Sequence, residues 1–170
     1  DRLSLIFGYV FHIAAALSIV YAWHNDDIIE QIAGLAYAGS GIGAVFAGDL
    51  ITLFIYWEAM AVTSVFLIWA RRSNAAYAAG MRYLIIQVTS GVLLLSGAIL
   101  MAHDTGSVAF DKMTLGSLAT WLILIAFGIK CAFPLLHNWL SDAYPEATVT
   151  GTVFLSAFTT KCAVYVLARG

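Results

Sequence analysis

The sequence predicts an all-α protein, a polytopic transmembrane bundle of six helices with the fifth broken at a proline. Three observations predict it. First, the 170 residues are 62% hydrophobic and 11% charged, against about 45–50% and about 25% in soluble domains. Folded in water, such a chain would expose large apolar patches, so lipid is its natural solvent. Second, its apolar runs are long enough to cross a hydrocarbon core of ~30 Å, which takes about 20 helical residues. Third, nothing resembles a series of strands, and in lipid the backbone groups must be satisfied inside helices or closed barrels. Residues 1–170 read as one transmembrane domain. The absence of an initiator Met or signal pattern marks it as an expected fragment of a longer chain.

The first predicted helix runs from Leu3 to Trp23 and stops at His24-Asn25-Asp26-Asp27. The second, Ile28 to Ala47, begins with Asp27 as N-cap and Glu30 as a first-turn acid suited to the helix dipole. The third, Asp49 to Ala70, is joined to the second by so short a turn that the two must form an antiparallel hairpin; it ends at Arg71-Arg72-Ser73-Asn74. The fourth spans Ala76 to Ala102, followed by a polar loop from His103 to Thr114. The fifth covers Leu115 to Leu140 and contains Pro134; the sixth covers Val149 to Leu167.

The glycines of helix two lack a preceding strand and the GxGxxG spacing of a nucleotide site. Gly39 and Gly43 instead form a GxxxG step that suits close helix packing. Cys131 and Cys162 lie in apolar runs without CxxC spacing and read as small buried residues. Trp23, Trp69, Trp121 and Trp139 fall near helix ends, as interface anchors do. Arg71, Arg72 and Arg82 cluster towards one side, against Arg2, Lys112 and Arg169 on the other, and the tighter cluster favours a cytoplasmic turn between the third and fourth predicted helices. The net charge of -2 argues against nucleic acid as a partner.

Against this apolar background three charges stand out. Glu58, Lys130 and Lys161 each interrupt a long hydrophobic run. A charge at the bilayer centre costs roughly 2.5–3.5 kcal/mol even on the mildest scale, and such residues mark ion or proton routes. Pro134 follows Lys130 by four residues, so the Lys130 carbonyl loses its usual helical partner and must find another. His137, seven residues on, is expected about two turns along the same helical face. Gln87, Thr89 and Ser90 could line a polar channel or bond to neighbouring backbones, and Thr159 and Thr160 are candidates for holding water beside Lys161. His12 reads as a buried hydrogen-bonding residue. The four histidines lack the paired spacing of a haem site, and no cofactor or metal motif appears.

The segment Gly128-Ile129-Lys130-Cys131-Ala132-Phe133-Pro134-Leu135-Leu136-His137-Asn138-Trp139-Leu140-Ser141-Asp142-Ala143 resembles the broken seventh helix of the proton-pumping antiporter-like subunits. These are the large membrane subunits of respiratory complex I, of Mrp-type multisubunit cation/proton antiporters and of membrane-bound hydrogenases. Phe54-Ile55-Tyr56-Trp57-Glu58-Ala59-Met60 resembles their glutamate-bearing fifth helix, and Thr160-Lys161-Cys162-Ala163-Val164-Tyr165 their lysine-bearing eighth. Order and spacing agree over nearly the whole chain, as the third to eighth helices of that family and the first half of an inverted-repeat transporter. Trp69-Ala70-Arg71-Arg72 and Ala79-Gly80-Met81-Arg82-Tyr83-Leu84 are most similar to the D-type Mrp subunit. The chain departs from the family at Tyr144, where many members carry histidine, and at Ser141, where proline is common.

The resemblance implies that Glu58 and Lys130 form a carboxylate–lysine pair, that Lys161 passes protons along a central axis, and that His137 is a polar relay. Burial disfavours the charged form of such groups and a nearby opposite charge favours it, so separating the pair would release a proton towards Lys161. The expected function is a proton-translocating subunit of a multisubunit cation/proton antiporter in a bacterial or archaeal inner membrane. The alternatives are the corresponding subunit of complex I or of a hydrogenase, and a non-transporting membrane scaffold. Expected partners are other integral membrane subunits, the lipid bilayer and protons, with sodium as a second ion left open.

Overall fold

A computed structural model describes all residues, Asp1–Gly170. Seven α-helices follow in order: α1 (Arg2–Ala22), α2 (Ile28–Phe46), α3 (Leu50–Trp69), α4 (Asn74–Thr105), α5 (Leu118–Cys131), α6 (Asn138–Ala143) and α7 (Val149–Arg169), with a 3-10 turn at Tyr144–Glu146 before α7. The side chains of Asp1, Asp27, Asp49, Ser73, Ser117 and Thr148 cap the N-termini of the longer helices. Each satisfies a backbone donor that the helix itself leaves free. At Asp49 the caps from Thr52 hold the carboxyl below the usual carboxylate range. Helices α1, α2, α3, α4 and α7 are long and apolar enough to cross a membrane, while α5 is shorter.

Helices α2 and α3 form the expected hairpin, and α4 lies between α3 and α5. Helix α7 closes the bundle against α1, α2, α3 and α5. The core runs along this seam, with Tyr37, Trp57, Leu53, Leu67, Tyr83, Phe158 and Tyr165 buried. Helix α1 turns Leu5, Tyr9, Val10, Ile13, Leu17 and Val20 outward, as a lipid-facing helix does. Of the predicted GxxxG pair only Gly43 meets a neighbour: a Cβ there would overlap the Tyr56 ring of α3, while Gly39 faces open space.

The fifth predicted helix is two helices. Ala132 adopts a left-handed conformation (φ 59°) at the end of α5, with Phe133 N–H donating to Gly128 O at 3.0 Å and Ala132 N–H to Ile129 O at 3.2 Å. This is a Schellman C-cap, and the proline beyond it cannot resume the helix. Gly128 leaves room for the Phe133 ring that folds back over it. The indole of Trp139 donates to the Ile129 carbonyl at 2.9 Å, so the indole serves the carbonyl one residue before Lys130. Trp139 is therefore buried, not an interface anchor.

Both ends of the bundle are tied by arginines. At one end Arg72 pairs with Asp27 at 2.7 Å, Arg82 grips both oxygens of Asp142 at 2.7 and 2.8 Å, and Arg71 donates to Pro145 O at 2.5 Å beside Glu146. At the other, Arg169 reaches Ala47 O, the Tyr165 hydroxyl and Asp1. The predicted polar loop is partly helical, since α4 extends to Thr105. Its remainder is pinned to the α2–α3 turn by Leu50 N–H donating to Val108 O and Phe110 N–H to Gly48 O.

Candidate functional site

Helices α3, α4 and α5 bring a polar group into the middle of the apolar bundle. Lys130, in the last turn of α5, is 1% exposed. Its Nζ donates to the Trp57 carbonyl of α3 and lies 4.3 Å from the centroid of the Trp57 ring. A cation over an indole face is favoured by the ring quadrupole, the more so when desolvated. The indole donates to Ser90 Oγ of α4 at 2.9 Å, and Ser90 donates in turn to Ala126 O of α5 at 2.8 Å. One lysine, one tryptophan and one serine thus lock three helices around the break.

Glu58 follows Trp57 on α3 and so stands beside this group, but no ion pair within 4.0 Å joins it to Lys130. Its Oε1 is buried and accepts no hydrogen bond from the protein. Gln87 of α4 is fully buried, with neither amide nitrogen nor amide oxygen partnered. Buried polar groups are paired in the great majority of cases, and these three atoms find no partner within the protein.

A second group lies one helix over. Tyr37 of α2 donates to or accepts from the Thr159 hydroxyl of α7, and the Thr159 amide donates to Tyr37 Oη at 2.9 Å. The Leu155 carbonyl accepts the Tyr144 hydroxyl at 2.9 Å. Two tyrosines thus engage backbone groups of the α7 turn that precedes Lys161. Tyr83 of α4 shares a hydrogen bond of 2.8 Å with Ser64 of α3 at the same level of the core.

Of the four predicted site residues, the structure brings Glu58 and Lys130 together and leaves two outside. His137 does not share a face with Lys130: α5 ends at Cys131, so helical periodicity does not extend across the break, and the imidazole is exposed at the start of α6 without a cap bond. Lys161 lies on the exposed face of α7 and donates to Ser156 O at 2.5 Å. The buried face of that helix belongs to Phe158, Thr159, Cys162 and Tyr165. His12 is exposed as well, bonded to Gly8 O of its own helix at 2.7 Å.

Glu30 is a further buried acid, read from the sequence only as a first-turn residue. Its carboxylate is 5% exposed and accepts the hydroxyls of Thr148 and Thr150 at the start of α7, the first at 2.5 Å. Only its position three residues after the Asp27 cap was legible, and that pattern points to a dipole role. The donor hydroxyls come from the start of a helix more than a hundred residues away.

The site is thus a buried lysine at a helix break in an apolar helical bundle, with an acidic residue on the neighbouring helix. Residues 47–170 match the family described as NADH:quinone oxidoreductase/Mrp antiporter, transmembrane, and the chain belongs to that family. Relatives include NADH-quinone oxidoreductase subunit M of Pseudomonas aeruginosa, 29% identical, with 99% of this chain and 38% of the relative aligned. Na(+)/H(+) antiporter subunit A1 of Staphylococcus aureus is 30% identical, with 99% of this chain and 23% of the relative aligned. Among solved structures, the Mrp complex from Dietzia sp. DQ12-45-1b superposes with a TM-score of 0.80 at 27% identity, over 98% of this chain and 33% of that one. Respiratory complex I from Thermus thermophilus shares the fold, with a TM-score of 0.88 at 21% identity over 99% of this chain and 40% of that one. The chain spans well under half the length of each of these relatives.

Proposed function

We propose that this chain is part of a proton-translocating membrane subunit of a multisubunit cation/proton antiporter, set in a cell inner membrane beside other integral subunits. The observation that carries the proposal is Lys130, buried at the end of a broken helix within the field of Glu58 and held by a single backbone carbonyl. One carbonyl and one ring face are a small set of partners for a lysine ammonium with three donors. The arrangement favours a proton that is held and released over one that is fixed for structure. Movement of Glu58 towards or away from Lys130 changes the cost of that charge, and the helix break supplies an element with two arrangements.

The membership of relatives in both antiporter and NADH-quinone oxidoreductase complexes favours a second reading, in which the same residues pump protons driven by a redox partner. The D-type Mrp assignment rests on the sequence segments around Arg71 and Arg82. Lys161 and His137 enter the proposal as groups outside the buried pair that exchange protons with it. Proton flux in proteoliposomes of the intact complex, with and without sodium, tests the whole. Glu58→Ala and Lys130→Ala should each abolish it, and a sodium requirement separates the antiporter from the redox-driven reading. Normal flux in both variants would leave a structural scaffold as the function.

A further inference from the structure

Helices α3 and α4 are antiparallel neighbours in a register fixed at three points. Trp57 bonds to Ser90 at 2.9 Å, the Glu58 carboxylate fills the space a Cβ on Gly91 would take, and Ser64 bonds to Tyr83 at 2.8 Å. Gln87 lies one turn from Gly91 and one turn from Tyr83, so this register sets it across from Met60 and Ala61, both buried. Ala61 is itself the next residue along the Glu58 face of α3. Gln87 is thus one helical turn along α4 from the residue against which the Glu58 carboxylate rests, with only a small side chain opposite it. Gln87 is fully buried and neither of its polar atoms has a partner, and the buried Glu58 Oε1 has none either.

An amide is suited to this position because it is both donor and acceptor. Its N–H can donate to a Glu58 carboxylate, and after a half-turn of the amide its oxygen can accept from a Glu58 carboxylic acid. A methionine or leucine at this place would serve neither state. A lysine, which only donates, would favour one. Leaving either form of a buried carboxyl unmatched carries the full desolvation penalty.

We infer that Gln87 is a positioning residue for proton transfer, the hydrogen-bond partner of Glu58 in both of its protonation states, directly or through one water. The inference rests on the proposed role of Glu58 in proton translocation. It predicts that the amide reorients each time Glu58 gains or loses its proton.

Infrared difference spectroscopy on the intact complex tests this without relying on transport. The carboxylic C=O band that disappears in Glu58→Gln identifies Glu58, and in Gln87→Met that band should move to higher wavenumber as its partner is lost. With side-chain carbonyl 13C-labelled glutamine in the wild-type complex, one labelled band should shift as Glu58 titrates and stay fixed in Glu58→Gln. Proton flux in Gln87→Met should fall about tenfold, the kinetic equivalent of one charge-assisted hydrogen bond. A Glu58 band at the same position in Gln87→Met overturns the inference. Should that variant fail to assemble, the wild-type label decides, and a glutamine band indifferent to Glu58 overturns it equally. Normal flux in Glu58→Ala would remove the transport role while leaving the infrared link intact, so the two failures are distinct.

Discussion

The carboxylate of Glu58 rests against the bare Cα of Gly91, in space that any side chain on α4 would occupy. The contact ties the position of a buried acid to the distance between two helices. Gly91→Ala therefore has to displace either the acid or α4. Overpacking of this kind costs about 1–3 kcal/mol. The expected outcome is a lower unfolding midpoint together with reduced proton flux, read by thermal melts of the purified complex and by vesicle transport on the same preparation. Unchanged flux at lowered stability would separate Glu58 placement from transport.

Lys130→Met tests charge against packing. Methionine fills much of the lysine volume without the ammonium, but it leaves the Trp57 carbonyl without its lysine donor, at about 1–3 kcal/mol. The variant should assemble, melt somewhat below the wild-type temperature and carry no proton flux. A destabilised variant with normal flux would assign the lysine to structure, where it serves the Trp57 carbonyl and ring.

Much of this was legible in the residues because bilayer physics leaves few solutions. The long apolar runs and the cap at Asp27 follow from local rules, and every predicted helix but the fifth falls close to its expected bounds. Glu58 and Lys130 were visible because a charge in an apolar run is costly wherever the fold places it. Local rules do not reach which face of a helix is covered. His137 was placed by counting 3.6 residues per turn through a segment that is not helical, while Lys161, within an apolar run, turns outward from the residues of this chain. Trp139 looked like an anchor because it is near a helix end, whereas its indole donates to the Ile129 carbonyl in the last turn of α5. Glu30 and Gln87 show the reverse: ordinary polar residues in sequence, made exceptional by partners, or a lack of them, on other helices.

Glu30 makes a prediction of its own. Its carboxylate gathers two threonine hydroxyls at the start of α7, joining the N-terminal ends of two helices. Glu30→Gln keeps an oxygen acceptor there and should melt close to wild type. Glu30→Leu removes it and leaves both hydroxyls to find other partners, at about 1–3 kcal/mol. Chemical denaturation of the three proteins in one detergent gives the order: wild type and Glu30→Gln together, Glu30→Leu below.

Ala132 holds a left-handed conformation that costs an L-residue roughly 1–2 kcal/mol and glycine almost nothing. Ala132→Gly should therefore stabilise the C-cap of α5, net of the extra freedom glycine has when unfolded, by up to about 1 kcal/mol. The Phe133 and Trp139 bonds that define the break remain available in the variant. A raised melting temperature with unchanged helix content by circular dichroism is the expected result. A lowered one would mean that the Ala132 methyl group contributes packing that outweighs its backbone strain.

The last prediction concerns acid stability at the arginine-rich end. Arg82 holds both oxygens of Asp142, outside the long spans, and this keeps the carboxyl below the usual carboxylate range. A group whose folded pKa is depressed stabilises the fold above its unfolded value and loses that contribution as pH falls through the folded value. The window lies at and below the ordinary aspartate value of 3.8. Both side chains are substantially exposed, so the effect is small and screened by salt. Asp142→Asn keeps an oxygen acceptor but cannot titrate. Melting temperature plotted against pH should therefore fall less steeply in the variant than in the wild type below pH 3.8, and the two curves should converge at high ionic strength. Parallel curves at low salt would show that the Arg82–Asp142 pair makes no difference to the folded bundle, leaving that end to the Arg72–Asp27 and Arg71–Pro145 contacts.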